Sequence, residues 1–218
     1  LQHEVSAADR LSVIDRHLCV LSALMGCQGA DAFEAEVCDA LAEGVEPAII
    51  RETVYQATAY LGIGRVLSFL KTLDRVLKAQ GVSLPLALQG TTDAADRFER
   101  GLEKQVQLFG EGMRKQQMLA PHPRRNINRW LAANCFGDYY TRKGLDDAQR
   151  ELVTFCLILA QGGCENQLRG HTAGNIGAGN DADKLYAAVE QCMPYIGYPR
   201  SLNAMNIIDE VAGRLTQQ

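Results

Sequence analysis

Apolar residues recur at helical spacing along nearly the whole chain. Leu11, Ile14, Leu18, Leu21 and Met25 fall three or four residues apart, which puts them on one face of a helix. Ser6-x-x-Asp9 ahead of them resembles a capping box, in which side chains satisfy the first backbone N–H groups. A second helix is predicted near 31–43, stopped by Gly44, and Pro47 fits the first turn of a third that runs to about Tyr60. A fourth runs from about Gly64 to Gln80, and the Gly81–Gly90 stretch, with Pro85 and no helical period, reads as a connection. Residues 93–118 predict one or two helices, interrupted at Pro121 and Pro123, and another spans about 125–136. Asp146 is placed to cap 147–161, a helix over 164–178 ends at Gly179-Asn180, Asp181 caps 182–194, and Pro199 opens the last helix. No segment alternates apolar and polar residues at period two, so the class is all-α.

The pattern also repeats. Tyr60-Leu61-Gly62-Ile63-Gly64-Arg65 recurs as Tyr195-Ile196-Gly197-Tyr198-Pro199-Arg200, an offset of 135 residues. The same offset relates Leu41 to Ile176, Gly44 to Gly179, Val54 to Val189, Gln56 to Gln191, Asp74 to Asp209 and Val76 to Val211. A fixed offset held over some 40 residues predicts a duplicated helical unit. The copies differ at ionisable positions: Glu36 stands at the position of His171, and His17, one residue out of phase, stands opposite Glu151. That difference predicts one working site and one retired or repurposed site.

Composition narrows the function. Of 218 residues 47% are hydrophobic, ample for a packed interior, and the net charge is −4. A negative chain is a poor general binder of nucleic acid or of an anionic membrane surface, so neither is an expected partner. The short basic cluster Arg124, Arg125 and Arg129 reads as a solvated patch or a subunit contact. The seven cysteines are irregularly spaced with no C-x-x-C, which fits a reducing, cytoplasmic setting. The chain begins at Leu1 instead of methionine, which leaves a removed export signal open. No apolar stretch has the length of a membrane span.

Four stretches of the second half resemble the carboxymuconolactone decarboxylase family: Arg97-Phe-Glu-Arg-Gly101 with Phe109-Gly110, Phe136-Gly-Asp-Tyr-Tyr-Thr-Arg-Lys-Gly-Leu145, Gln149-Arg-Glu-Leu-Val153, and His171 leading to Tyr195-Ile-Gly-Tyr-Pro199. They follow the family's order over 93–218, and residues 9–80 resemble a second, shorter copy of its core. The resemblance implies two alkylhydroperoxidase D-like helical modules in tandem, residues 1–83 and 91–218, the second holding the active site. It also implies a cofactor-independent carboxy-lyase acting on a small anionic lactone or unsaturated acid. Relatives of this fold form trimers or hexamers, so a homotrimer of two-module chains would imitate a hexamer.

The residues themselves admit alternatives. His171 sits in a helical run beside Leu168 and Ile176, as a buried, satisfied histidine or as a catalytic one; the family places a histidine there. Glu151 opens a helix, where a carboxylate suits the dipole whatever its function. It also matches the family's proton-relay glutamate, and the two together would make an acid–base pair. The histidines His3, His17, His122 and His171 form no metal-ligand pattern, so no metal is expected. Cys164 matches the first cysteine of the peroxidase branch, but Gln167 stands at the second, so a resolving thiol would have to come from Cys192, Cys156 or Cys27. Arg150, Arg169 and Arg200 are candidate anchors for a substrate carboxylate, because the guanidinium fork grips carboxylate with two bonds. Arg16 and Arg65 echo Arg150 and Arg200 in the first copy, which also fits a structural role. Tyr195 is a candidate pocket residue, as are Asn203, Tyr139 and Tyr140, while Gly197 suits a tight turn. Gly174, Gly177 and Gly179 end a helix and make no nucleotide loop. Three functions follow in order: carboxy-lyase, thiol-dependent reductase or peroxidase using Cys164, and non-catalytic oligomeric binding protein.

Overall fold

The computed structural model describes residues 1–7, 10–119 and 121–215. Among these the protein is all helix, with no strand. Two compact units arise, one from residues 1–86 with 148–218, the other from 87–147.

The first unit contains α1 (Gln2–Ala7), α2 (Val13–Cys27), α3 (Ala30–Ala42), α4 (Pro47–Leu61), α5 (Ile63–Ala79), α10 (Glu165–Gly177), α11 (Ala182–Ile196) and α12 (Tyr198–Leu215), together with almost all of α9 (Asp147–Gln161). The expected capping box falls partly on Asp9, outside the described residues; α2 is capped by Ser12, whose hydroxyl accepts from the Asp15 N–H at 3.1 Å. Asp181 caps α11 as its position predicts, accepting from the Lys184 N–H at 2.8 Å. That helix continues past Pro194 to Gly197, whose φ of 78° ends it.

Helices α2 and α9 are the most completely buried elements, with Leu18, Leu21, Leu24, Leu152, Phe155 and Leu157 all in the interior. They cross closely at Gly26, where an added Cβ would lie 2.6 Å from the Ala160 Cβ. Around Phe155 and Cys156 pack Leu168, Leu185, Val189, Ala204 and Ile208 from the three helices that follow.

Element lengths recur at the sequence offset. Helices α3 and α10 have thirteen residues each and α4 and α11 fifteen each, and both pairs begin 135 residues apart, as do α5 and α12. Helices α2 and α9 have fifteen residues each and begin 134 apart, so His17 and Glu151 are both the fifth residue of their helix. Inter-helix ties recur at matching positions with altered chemistry. Arg51 pairs with Asp74 across α4 and α5, and Tyr186 donates to Asp209 across α11 and α12. Arg75 pairs with Glu34, while at the matching positions Glu210 pairs with Arg169, the signs reversed.

The second unit contains α6 (Arg97–Phe109), α7 (Gly112–Leu119), α8 (Arg125–Trp130) and a π-helical segment, Leu131–Tyr140. Gly110, with φ 86°, splits the predicted 93–118 helix. The predicted 125–136 helix widens to π geometry where α6 presses on it. A Cβ on Gly101 would lie 1.9 Å from the Ala132 carbonyl oxygen, and one on Gly137 would lie 2.0 Å from that of Arg97. Only glycine permits backbones this close.

Candidate active site

The fully buried Glu151, on α9, turns its carboxylate to His171 on α10. His171 Nδ1 lies 2.9 Å from Glu151 Oε2. An ionised carboxylate only accepts, so it fixes the hydrogen on Nδ1 and leaves Nε2 for chemistry. His171 is 13% exposed and Glu151 0%, so the imidazole stands on the outer side of the pair. A buried amide relay holds the two helices in register. Asn175 Nδ2 donates to the Glu151 carbonyl at 2.9 Å and to the His171 carbonyl at 2.7 Å. Asn180 Nδ2 donates to Asn175 Oδ1 and to the Ala148 carbonyl, both at 2.8 Å. The imidazole also packs T-shaped against Tyr60 from α4, with ring centroids 5.5 Å apart and planes at 82°.

Sequence reasoning missed Asn175, Asn180 and Tyr60. The signal was present at the 135-residue offset. Asn175 and Asn180 stand where the first half has the buried apolar Ala40 and Val45. Apolar core positions that turn polar in one copy mark a place where polar groups are needed. Tyr60 is the repeat partner of Tyr195, which had been singled out.

The remaining candidates lie elsewhere. Arg150 is fully buried; its Nη1 donates to Gln56 Oε1 at 2.9 Å and its Nη2 lies 3.6 Å from Glu52 Oε2. Its guanidinium therefore ties α9 to α4 inside the unit, in place of the expected substrate contact. Arg169 is likewise engaged, with Nε 3.0 Å from Glu210, which also takes Arg214 at 2.8 Å. Arg200 donates to the Ala160 carbonyl at the end of α9, a neutral partner, and forms no ion pair among the described residues. It lines a hollow of about 20 Å³ with Gly162, Cys164, Leu168 and Asn203. Cys164 precedes α10, and its sulfur accepts from Gln161 Nε2 at 3.2 Å. Burial pushes the Tyr195 phenol up, and the charges of Glu36 and Asp39 push it further. Tyr195 therefore lies within reach of the α3 carboxylates.

Of the three thiols considered as partners for Cys164, Cys156 and Cys192 are fully buried and group with Cys19. Burial raises the Cys156 thiol well above its usual range, with the neighbouring thiols adding to it. Cys27 is half-buried, raised by burial and countered by its Gly29 backbone contact and by Arg200.

The first half keeps an imidazole–carboxylate pair with the partners exchanged. His17 Nδ1, on α2, lies 2.6 Å from Glu36 Oε1, on α3. Here the imidazole is the buried member, 1% exposed, and the carboxylate the outer one, 13% exposed.

Among the described residues no group of three or more His, Cys, Asp or Glu is arranged to hold a metal ion, and no helix is long and apolar enough to cross a membrane. Residues 126–210, which contain both Glu151 and His171, match the carboxymuconolactone decarboxylase family. Over 116 residues the chain is 28% identical to 4-carboxymuconolactone decarboxylase from Acinetobacter baylyi, an alignment covering 53% of this chain and 86% of that relative.

Proposed function

We propose that the chain is a cofactor-independent carboxy-lyase acting on a small anionic lactone, with Glu151 and His171 as its acid–base pair. The observation that carries this reading is the 2.9 Å approach of His171 Nδ1 to a carboxylate with no solvent exposure. The Glu151 carboxylate fixes the orientation of the ring. Loss of carbon dioxide moves the electron pair of the breaking C–C bond into the conjugated lactone carbonyl. The resulting dienolate then takes a proton at carbon from His171 Nε2, and solvent restores that proton. Preorganised positive charge beside the developing dienolate lowers the barrier. The positions on α10 that match Asp39 and Glu43 of α3 are Gly174 and Ala178, so this face carries no competing carboxylate there and suits an anion. Arg200 is the anchor we assign to a substrate carboxylate, since carboxylates occupy Arg150 and Arg169 while Arg200 faces a neutral carbonyl.

The same reading takes residues 9–80 as a second copy of the module, supported by helix starts that recur at offsets of 134 and 135. It also takes the chain to assemble as a trimer. Ile63 and Leu67 at the start of α5 are 56% and 47% exposed, and Tyr198 and Leu202 match them on α12 at 61% and 57%. Matching exposed apolar pairs at i and i+4 suit contacts between copies. Sedimentation of Leu67→Lys with Leu202→Lys tests this: a species of unchanged mass removes the interface.

The test of the reaction is carbon dioxide release from 4-carboxymuconolactone, the substrate class in the name of the Acinetobacter relative. His171→Ala and Glu151→Gln should fold and lose about 10²–10⁴ in turnover. Full turnover in folded His171→Ala rules the mechanism out.

A second reading rests on Cys164 lying in the same hollow as Arg200. Thiol labelling at pH 6 separates the two. One fast thiol, absent in Cys164→Ser, favours redox chemistry, and uniformly slow thiols favour the lyase.

A further inference from the structure

The pair His17–Glu36 has more chemistry around it than a retired copy requires. We propose that it is a second acid–base centre, of opposite polarity to the first, which presents the Glu36 carboxylate to a small organic cation with His17 as the buried partner. This goes beyond the lyase reading and stands apart from it.

Four observations carry the assignment. First, exposure is inverted along with identity: the outer group is His171 at 13% in one half and Glu36 at 13% in the other, while the inner groups are 0% and 1% exposed. Second, the neighbours of Glu36 are acidic. Asp39 and Glu43 follow it by three and seven residues, so the three lie along one side of α3 and its end. Their matching positions on α10 are Gly174 and Ala178. Third, His17 Nε2 is buried and makes no hydrogen bond; it faces Glu43 Oε2 at the longer distance of 3.6 Å, and Arg16 holds that carboxylate. A buried ring nitrogen without a hydrogen bond, aimed into a group of carboxylates, is the feature the proposal explains. Fourth, Tyr195 of α11 lies within the influence of Glu36 and Asp39, as Tyr60 of α4 meets His171.

Partner exchange alone would not suffice, because Arg75–Glu34 and Glu210–Arg169 also exchange. Those pairs are 30% or more exposed on every member and tie helices at the surface. His17 is instead desolvated. Of the groups facing the centre, Arg16 offsets Glu43, leaving Glu36 and Asp39 against one imidazole and the neutral Tyr195 phenol. That balance attracts a cation and repels an anion, and an ammonium or amidinium group also finds the Tyr195 ring.

The test is NMR of the histidine rings in the full chain, titrated with ethylammonium chloride and, separately, with butyrolactone-γ-carboxylate. Ethylammonium should move the His17 signals saturably, and the lactone acid should leave them still. Glu36→Gln should weaken the ethylammonium response about tenfold or more. Asp39→Asn, an exposed change that spares the fold, should weaken it about threefold. A non-saturating response, one of equal strength in Asp39→Asn, or an equal response of His17 to the lactone acid overturns the proposal. If the lactone acid fails to move His171 while ethylammonium moves His17, the lyase reading falls and this one stands.

Discussion

Tyr60 packs T-shaped against His171, with ring centroids 5.5 Å apart, so a side chain from the first half of the sequence borders the imidazole. Glu151 fixes one edge of the ring and Tyr60 limits its tilt. Tyr60→Phe keeps the aromatic edge and should retain near-normal turnover. Tyr60→Ala should lower kcat on 4-carboxymuconolactone by about tenfold with little change in KM, since a loosened catalytic group loses orientation. Steady-state kinetics of the two variants check this, and equal kcat in both would remove Tyr60 from the site.

Asn175 joins the backbones that carry the pair. Its amide donates to the carbonyls of Glu151 and His171 and accepts from Asn180, all out of solvent. Asn175→Ala removes three buried or half-buried hydrogen bonds, which should destabilise the protein by about 1–3 kcal/mol. Urea denaturation measures it. Asn175→Ala with Asn180→Val copies the first half's Ala40 and Val45 and should recover part of the loss, because removing both partners of a buried network costs less than removing one.

Arg169 and Glu210 reverse the signs of Glu34 and Arg75 at matching positions. Arg169→Glu alone sets two carboxylates together, and adding Glu210→Arg restores the pair in the first half's orientation. Because both groups are about a third exposed, the coupling should be no more than about 1 kcal/mol. A double-mutant cycle in thermal unfolding measures it. Wild-type KM in the restored pair would leave Arg169 as the partner of Glu210 alone, and a raised KM would return it to the substrate.

Much of this was legible before any coordinates. The period of Leu11, Ile14, Leu18 and Leu21 dictates a helix, and the Gly44 and Gly179 stops mark its successors, because local chemistry alone decides them. Glu151 and His171 were legible as a pair because both match ionisable positions of the family the chain resembles, and their side chains meet at 2.9 Å. Arg150 was misread because a buried guanidinium and a substrate-facing one look alike in sequence; only the packing of α4 on α9 distinguishes them. Tyr60 was hidden for the same reason, since its place beside His171 is set by tertiary packing. The π-helical turn at Leu131–Tyr140 follows from the close passage of Gly101 and Gly137, a long-range constraint with no local period.

The tie between Tyr186 and Asp209 gives the fold a signature at high pH. The Asp209 carboxylate accepts the phenol hydrogen and, with burial and further acidic charge, pushes the Tyr186 phenol from its ordinary 10 up to about 12. Because the folded value lies above the unfolded one, the contribution to stability is fully present below about pH 10 and is lost as the pH rises through about 12. Asp209→Asn removes the charged acceptor, so one tyrosine of the seven should ionise at lower pH than in the wild type. Tyrosinate absorbance followed with pH in wild type, Asp209→Asn and Tyr186→Phe reads this directly: the late-titrating component should move down in the first variant and vanish in the second. A component near pH 12 that survives in Tyr186→Phe would assign it to another phenol, with burial-raised Tyr195 the next to replace.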